Sequence, residues 1–159
     1  MLDDFLIHVF HKGNTLEAYK VFGAHLETND HKKGVRFTVY APNARSVQVV
    51  GDFNDWDGQN HYMERYTDGG IWTLFIPGVK EFALYKYRIE TQNFATVDRA
   101  DPYAFYSELR PGTASRVYNI ERFRWADKKW LNSRTKNFDK PMNIYEVNIG
   151  SWKMKKDFT

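Results

Sequence analysis

The 159-residue sequence contains no cysteine, which excludes disulfides and thiolate metal sites. It contains no apolar run near the roughly 18 residues of a membrane span. The first residues, Met1-Leu2-Asp3-Asp4, are acidic where a secretory leader is basic, and the apolar run behind them is short. A soluble, cytoplasmic chain is therefore expected. There are no internal repeats and no low-complexity segments. Excess charge is also small, at +3 with a pI near 9.0. A chain of this length buries roughly 70% of its extended surface, so one domain, or one domain with a piece of another, needs no covalent staple.

Aromatic residues are plentiful, at 17% of the chain. Residues 49–58, Val-Val-Gly-Asp-Phe-Asn-Asp-Trp-Asp-Gly, organise the rest. Val47, Val49, Gly51 and Phe53 share one face at period two, opposite Ser46, Gln48 and Asp52. Asn54, Asp55, Asp57 and Gly58 are turn formers. A strand thus runs into a polar turn that throws out Trp56. Indole has flat apolar faces and one edge donor, which suits the C–H face of a sugar ring. Trp56 folding back to cap the sandwich edge is the other reading of these residues.

The spacing of Leu2, Phe5, Leu6, Val9 and Phe10 predicts a short helix ended near Gly13. A second is expected through Leu16, Ala18, Tyr19, Val21 and Phe22, capped by Asn14 or Thr15 and stopped by Gly23. His8, His11 and His25 lack metal-ligand spacing and read as surface or capping residues. Strands are expected at 35–41, 46–53, 71–76 and 83–91, the last turning through Gln92-Asn93 into residues 94–97. Trp72 lies within an apolar strand and reads as core. Alternation sends Lys86 outward with Arg88 and Glu90, where an ion-pair partner and a ligand-binding ammonium look alike. Residues 98–111 read as an aromatic loop in which Asp101 forms a turn, and 113–120 as a closing strand. Short strands at roughly 8–12-residue spacing argue for an antiparallel β-sandwich. Residues 122–140 are basic and polar, with scattered aromatics. A further strand is expected at 143–149.

Glycosidic cleavage requires two carboxylates flanking the bond, and no such pair is recognisable. There is no nucleophile elbow, phosphate loop or metal cluster either. No catalytic residue, cofactor or metal is assigned. Arg122-Phe123-Arg124-Trp125 and Lys128-Lys129-Trp130 raise single-strand nucleic-acid binding, but the charge is weak and Asp127 interrupts the cluster. Neither nucleic acid nor membrane is expected as a partner.

Several segments carry a family resemblance. They include Phe22-Gly23-Ala24-His25, Tyr40-Ala41-Pro42-Asn43-Ala44, the Trp56 stretch, Tyr85-Lys86-Tyr87, Ala100-Asp101-Pro102-Tyr103-Ala104-Phe105 and Arg110-Pro111-Gly112-Thr113-Ala114-Ser115. In this order they resemble the N-terminal part of glycogen (1,4-alpha-glucan) branching enzymes. Ile144-Tyr145-Glu146-Val147-Asn148-Ile149-Gly150-Ser151-Trp152 resembles the first strand of that family's catalytic barrel, with Asn148 where the family usually has histidine. The resemblance runs from about residue 19 to the end.

It implies a mainly β chain with four parts. Residues 1–25 form a short helical segment and 26–121 an immunoglobulin-like carbohydrate-binding module of family 48. Residues 122–140 are a linker, and 141–159 the truncated start of a (β/α)8 barrel. The parent enzyme, of the alpha-amylase superfamily, cuts an alpha-1,4 link and transfers the freed segment to a 6-hydroxyl. Its catalytic carboxylates lie on later strands, so this chain is expected to be inactive alone and at most to bind alpha-glucan. A stand-alone glycogen-targeting module is the alternative. In related modules the residues matching Trp56 and Lys86 contact sugar. Phe94 stands where those modules carry a second stacking tryptophan and offers a smaller platform.

Overall fold

The computed structural model describes residues 2–67, 69–135 and 141–152. It divides into two compact units, residues 1–123 and 124–159. The first is a two-sheet sandwich. One sheet has the order β1–β2–β5–β4, built from β1 (Gly23–Asn29), β2 (Lys32–Tyr40), β4 (Glu64–Thr67) and β5 (Ile71–Pro77). The other has the order β3–β6–β9–β8, from β3 (Ser46–Gly51), β6 (Leu84–Glu90), β8 (Tyr106–Ser107) and β9 (Ser115–Arg116). A further strand, β7 (Thr96–Arg99), also pairs with β6. All of these pairings are antiparallel. The class expected from strand spacing is the class observed.

The core forms because apolar residues recur at period two on facing strands. Val35, Phe37 and Val39 of β2 and Trp72 and Ile76 of β5 meet Val47 and Val49 of β3 and Tyr85 and Tyr87 of β6. Trp72 lies in this core as expected, its Nε1–H donating to the Ala41 carbonyl at 3.0 Å.

A second cluster covers the outer face of the first sheet. Here α1 (Asp4–His11) lays Ile7 against Val21, Phe22 and Ile71. Asp3 caps α1 by accepting from the Phe5 and Leu6 amides at 3.0 and 3.1 Å.

Three expectations are corrected in this unit, and two strands were not expected. The second helix shrinks to a single 3-10 turn, Ala18–Lys20. Val21 and Phe22 are instead buried in the outer cluster, and Gly23, at φ 106°, opens β1. Tertiary burial outweighs helical spacing there. Strands β1 and β4 were not legible, because β1 lies at a sheet edge and buries little beyond Gly23 and Ala24, while β4 is short and mostly polar. Strand β3 stops at Gly51, and Phe53 joins a 3-10 turn, Asp52–Asn54. The closing strand is only Ser115–Arg116.

Among the described residues, the second unit has two short helices, α2 (Lys128–Ser133) and α3 (Ile149–Trp152). Residues 141–148 carry no regular structure, although a strand was expected at 143–149. A strand is stabilised by ladder partners, and among the described residues none pairs with this segment. Residues 136–140 and 153–159 of the expected linker and barrel start lie outside the described residues. Among the described residues, no helix is long and apolar enough to cross a membrane.

Candidate glucan-binding face

Trp56 is presented by a turn that one side chain holds in place. Asn54 Oδ1 accepts from the Gly51 amide at 2.8 Å. Asn54 Nδ2 donates to the Val49 carbonyl at 3.0 Å and lies 3.0 Å from His61 Nδ1. The Trp56 amide then donates to the Gly51 carbonyl at 2.9 Å. Asp55 and Trp56 both sit in the left-handed region, at φ 52° and 60°. Such backbone costs roughly 1–2 kcal/mol per residue for non-glycine residues, and the hydrogen bonds offset it. The indole is 37% exposed, so it neither enters the core nor floats free.

Register organises the face beside it. Residues opposite one another on paired strands project to the same side of a sheet. Val50 lies opposite Lys86, and Gln48 opposite Arg88, across β3 and β6. Arg88 in turn lies opposite Asp98 on β7. An isolated bridge adds Tyr62 beside Gln48. One row therefore reads Tyr62, Gln48, Arg88, Asp98. The row towards the hairpin reads Ser46, Glu90, Thr96. Rows are about 7 Å apart along the strands.

Arg88 ties the turn to this face. Its guanidinium grips Asp98 in a two-pronged pair at 2.8 and 3.0 Å, and Nη1 donates to the Trp56 carbonyl at 3.2 Å. The hydrogen bond from Arg88 holds the Asp98 carboxyl below its usual range. Lys86, one row along, donates from Nζ to Thr113 Oγ1 at 2.7 Å, so its ammonium sits at a defined point.

Phe94 lies at the tip of the β6–β7 hairpin, at φ 62° and 67% exposed. The Arg45 guanidinium lies 4.0 Å from its ring centroid, a cation–π contact that takes one face of the ring. Trp56 and Lys86 therefore belong to one outer surface, with Phe94 at its hairpin end. Arg88 was legible from alternation. Asp98 required the hairpin register, and Asn54 and Thr113 gave no functional signal in the sequence.

The carboxylates of this face are engaged, Asp98 by Arg88 and Glu90 by the Ser46 hydroxyl at 3.0 Å. A shallow depression of about 240 Å³ runs among Ser46, Gln48, Tyr62, Arg88, Glu90 and Thr96. A larger cavity, about 490 Å³, lies elsewhere, beside Tyr19, His25, Phe105 and Tyr118, with Glu121 the one carboxylate among its lining residues.

Asp101 does form the expected turn, accepting from the Tyr103 amide at 2.8 Å. It is also buried, and its other carboxylate oxygen accepts from the Tyr85 and Tyr87 hydroxyls at 2.6 and 3.3 Å. Burial raises its carboxyl above the usual range, against the pull of these bonds. It closes the sandwich interior, away from the Trp56 face.

Known proteins share this sequence and fold. The model of carbohydrate-binding module 48 (isoamylase N-terminal domain) matches residues 21–104. The chain is 48% identical over 152 residues to 1,4-alpha-glucan branching enzyme GlgB of Bacillus anthracis, covering 94% of this chain and 24% of that protein. It is 47% identical over 150 residues to the enzyme of the same name from Bacillus mycoides (strain KBAB4), covering 93% of this chain and 23% of that one. The chain thus spans less than a quarter of the length of these curated relatives. Among solved structures, pullulanase from Bacillus acidopullulyticus superposes with a TM-score of 0.51 at 25% identity, over 63% of this chain and 12% of that one. The maltotriose complex of PulA from Klebsiella pneumoniae superposes with a TM-score of 0.51 at 27% identity, over 66% and 12%. With the family match covering more than half of its residues, the chain belongs to the carbohydrate-binding module 48 family.

Proposed function

We propose that this chain is the N-terminal part of a 1,4-alpha-glucan branching enzyme, acting in the cytoplasm in the synthesis of alpha-1,6 branches, and that its sandwich holds an alpha-1,4-glucan segment. In this reading residues 26–121 are the binding module, 122–140 a linker and 141–159 the opening of a catalytic barrel. The parent enzyme's chain-transferring carboxylates belong to that barrel, so the chain alone forms no branches. The observation that carries the reading is Trp56, exposed on a turn that Asn54 braces, with its backbone carbonyl tied through Arg88 to a polar row beside Lys86. The indole would stack on a sugar ring, and the Lys86 ammonium would donate to its hydroxyls. Phe94 stands at the hairpin end of this surface, with one ring face taken by Arg45. A stand-alone glycogen-targeting module is a weaker reading, because the likeness to branching enzymes continues past the module over 94% of the chain.

A shallow platform with few polar contacts supports a dissociation constant of roughly 0.1–1 mM. Native electrophoresis in gels with and without glycogen tests this. Glycogen should retard the wild type and leave Trp56→Ala running freely, with both proteins folded by circular dichroism. If glycogen retards neither folded protein, a glucan-binding role for this face is refuted; if it retards both equally, Trp56 is not the platform. Retardation should also be insensitive to salt, since the ligand is neutral. A steep loss with salt would point to a polyanion instead.

A further inference from the structure

We infer that Tyr62, rather than Phe94, is the second stacking platform of the glucan face, and that the polar groups lining the depression beside Tyr62 fix the sugar hydroxyls. The inference rests on the glucan-binding reading above and assigns that surface a residue with no part in the family resemblance.

Three observations carry it. First, Tyr62 is built into the sheet. The Val49 amide donates to the His61 carbonyl at 3.0 Å, and the Met63 amide to the Val47 carbonyl at 2.8 Å. The backbone on both sides of Tyr62 is therefore clamped to β3. Met63 points into the core at 5% exposure, so alternation sends Tyr62 outward, where it is 53% exposed. A platform fixed by its own backbone loses little freedom on binding.

Second, its position is useful. Tyr62 lines the depression with Gln48, Arg88, Glu90, Ser46 and Thr96. It heads the row that continues through Gln48 to Arg88, the residue that holds the Trp56 carbonyl. The amide of Gln48 and the hydroxyl of Thr96 can both donate and accept, as a sugar hydroxyl requires, while Glu90 can accept.

Third, the two candidate rings differ in availability. Arg45 covers one face of Phe94 and also approaches Glu90, with Nε 3.8 Å from Oε1. Among the described residues, no ring or guanidinium packs on Tyr62. Stacking a sugar on the covered face of Phe94 would require displacing a cation. Tyr62 requires no such displacement and adds a hydroxyl at its edge.

The test is titration calorimetry of the purified chain with maltoheptaose, comparing wild type, Trp56→Ala, Tyr62→Ala, Tyr62→Phe and Phe94→Ala, each checked for folding by circular dichroism. Tyr62→Ala should weaken binding about five- to tenfold. Tyr62→Phe and Phe94→Ala should stay within about twofold of wild type, since the first keeps the ring and the second removes one already occupied. If Trp56→Ala loses binding while Tyr62→Ala keeps it, the inference fails and the glucan-binding reading stands. If Phe94→Ala loses as much as Tyr62→Ala, the assignment of Tyr62 over Phe94 fails. If the folded wild type does not bind maltoheptaose, both fall.

Discussion

Replacing Asn54 by alanine should both destabilise the sandwich and release the tryptophan platform. In the wild type the Asn54 side chain satisfies the Gly51 amide and the Val49 carbonyl and reaches His61 Nδ1, at 2.8, 3.0 and 3.0 Å. Alanine removes all three contacts and strips two groups at the end of β3 of their partner. At about 1 kcal/mol for each net hydrogen bond, the loss is roughly 2–3 kcal/mol. A domain stable by roughly 5–15 kcal/mol survives that, so the variant should fold. The left-handed backbone at Asp55 and Trp56 would then lack the bonds that offset its strain, and the turn should sample conformations in which the indole is misplaced. Urea denaturation of the whole chain, followed by far-ultraviolet circular dichroism, measures the first effect. Glycogen gel electrophoresis of the same preparation measures the second. A stability change under about 0.5 kcal/mol with unchanged retardation would refute the claim that Asn54 holds the site.

Two further perturbations probe the frame. Gly51 is required by close approach, since a Cβ there would stand 2.2 Å from the Leu84 carbonyl oxygen on the neighbouring strand; Gly51→Ala should cost more than about 2 kcal/mol, and a urea midpoint equal to wild type would contradict it. Asp101 has a raised carboxyl pKa because it is buried, so the fold favours its protonated form. Stability attributable to it should be greatest at or below the ordinary carboxylate value and should fall as pH rises through the elevated folded value. The stability of wild type minus that of Asp101→Asn, measured by urea titration over this range, should therefore decline with pH; a flat or rising difference would contradict the assignment.

The sequence by itself determined the sandwich, because inward-facing apolar residues at period two leave β2, β3, β5 and β6 little choice of face. It also determined that Trp56 leaves β3 on a turn, because Asn, Asp and Gly cluster there, and that Lys86 and Arg88 share the outer side of β6. Only the tertiary structure decided the rest. Val21 and Phe22 have helical spacing, but burial against Ile7 and Ile71 makes them part of an outer cluster. Edge strand β1 and the polar strand β4 bury too little to announce themselves. Phe94 and Tyr62 are both aromatics near turns in the sequence. Long-range contacts separate them: Arg45 closes one face of the first, while the bridge to Gln48 sets the second beside the row that leads to Trp56. Pairings between residues far apart in the chain leave no mark in local pattern, and the candidate site is made of them.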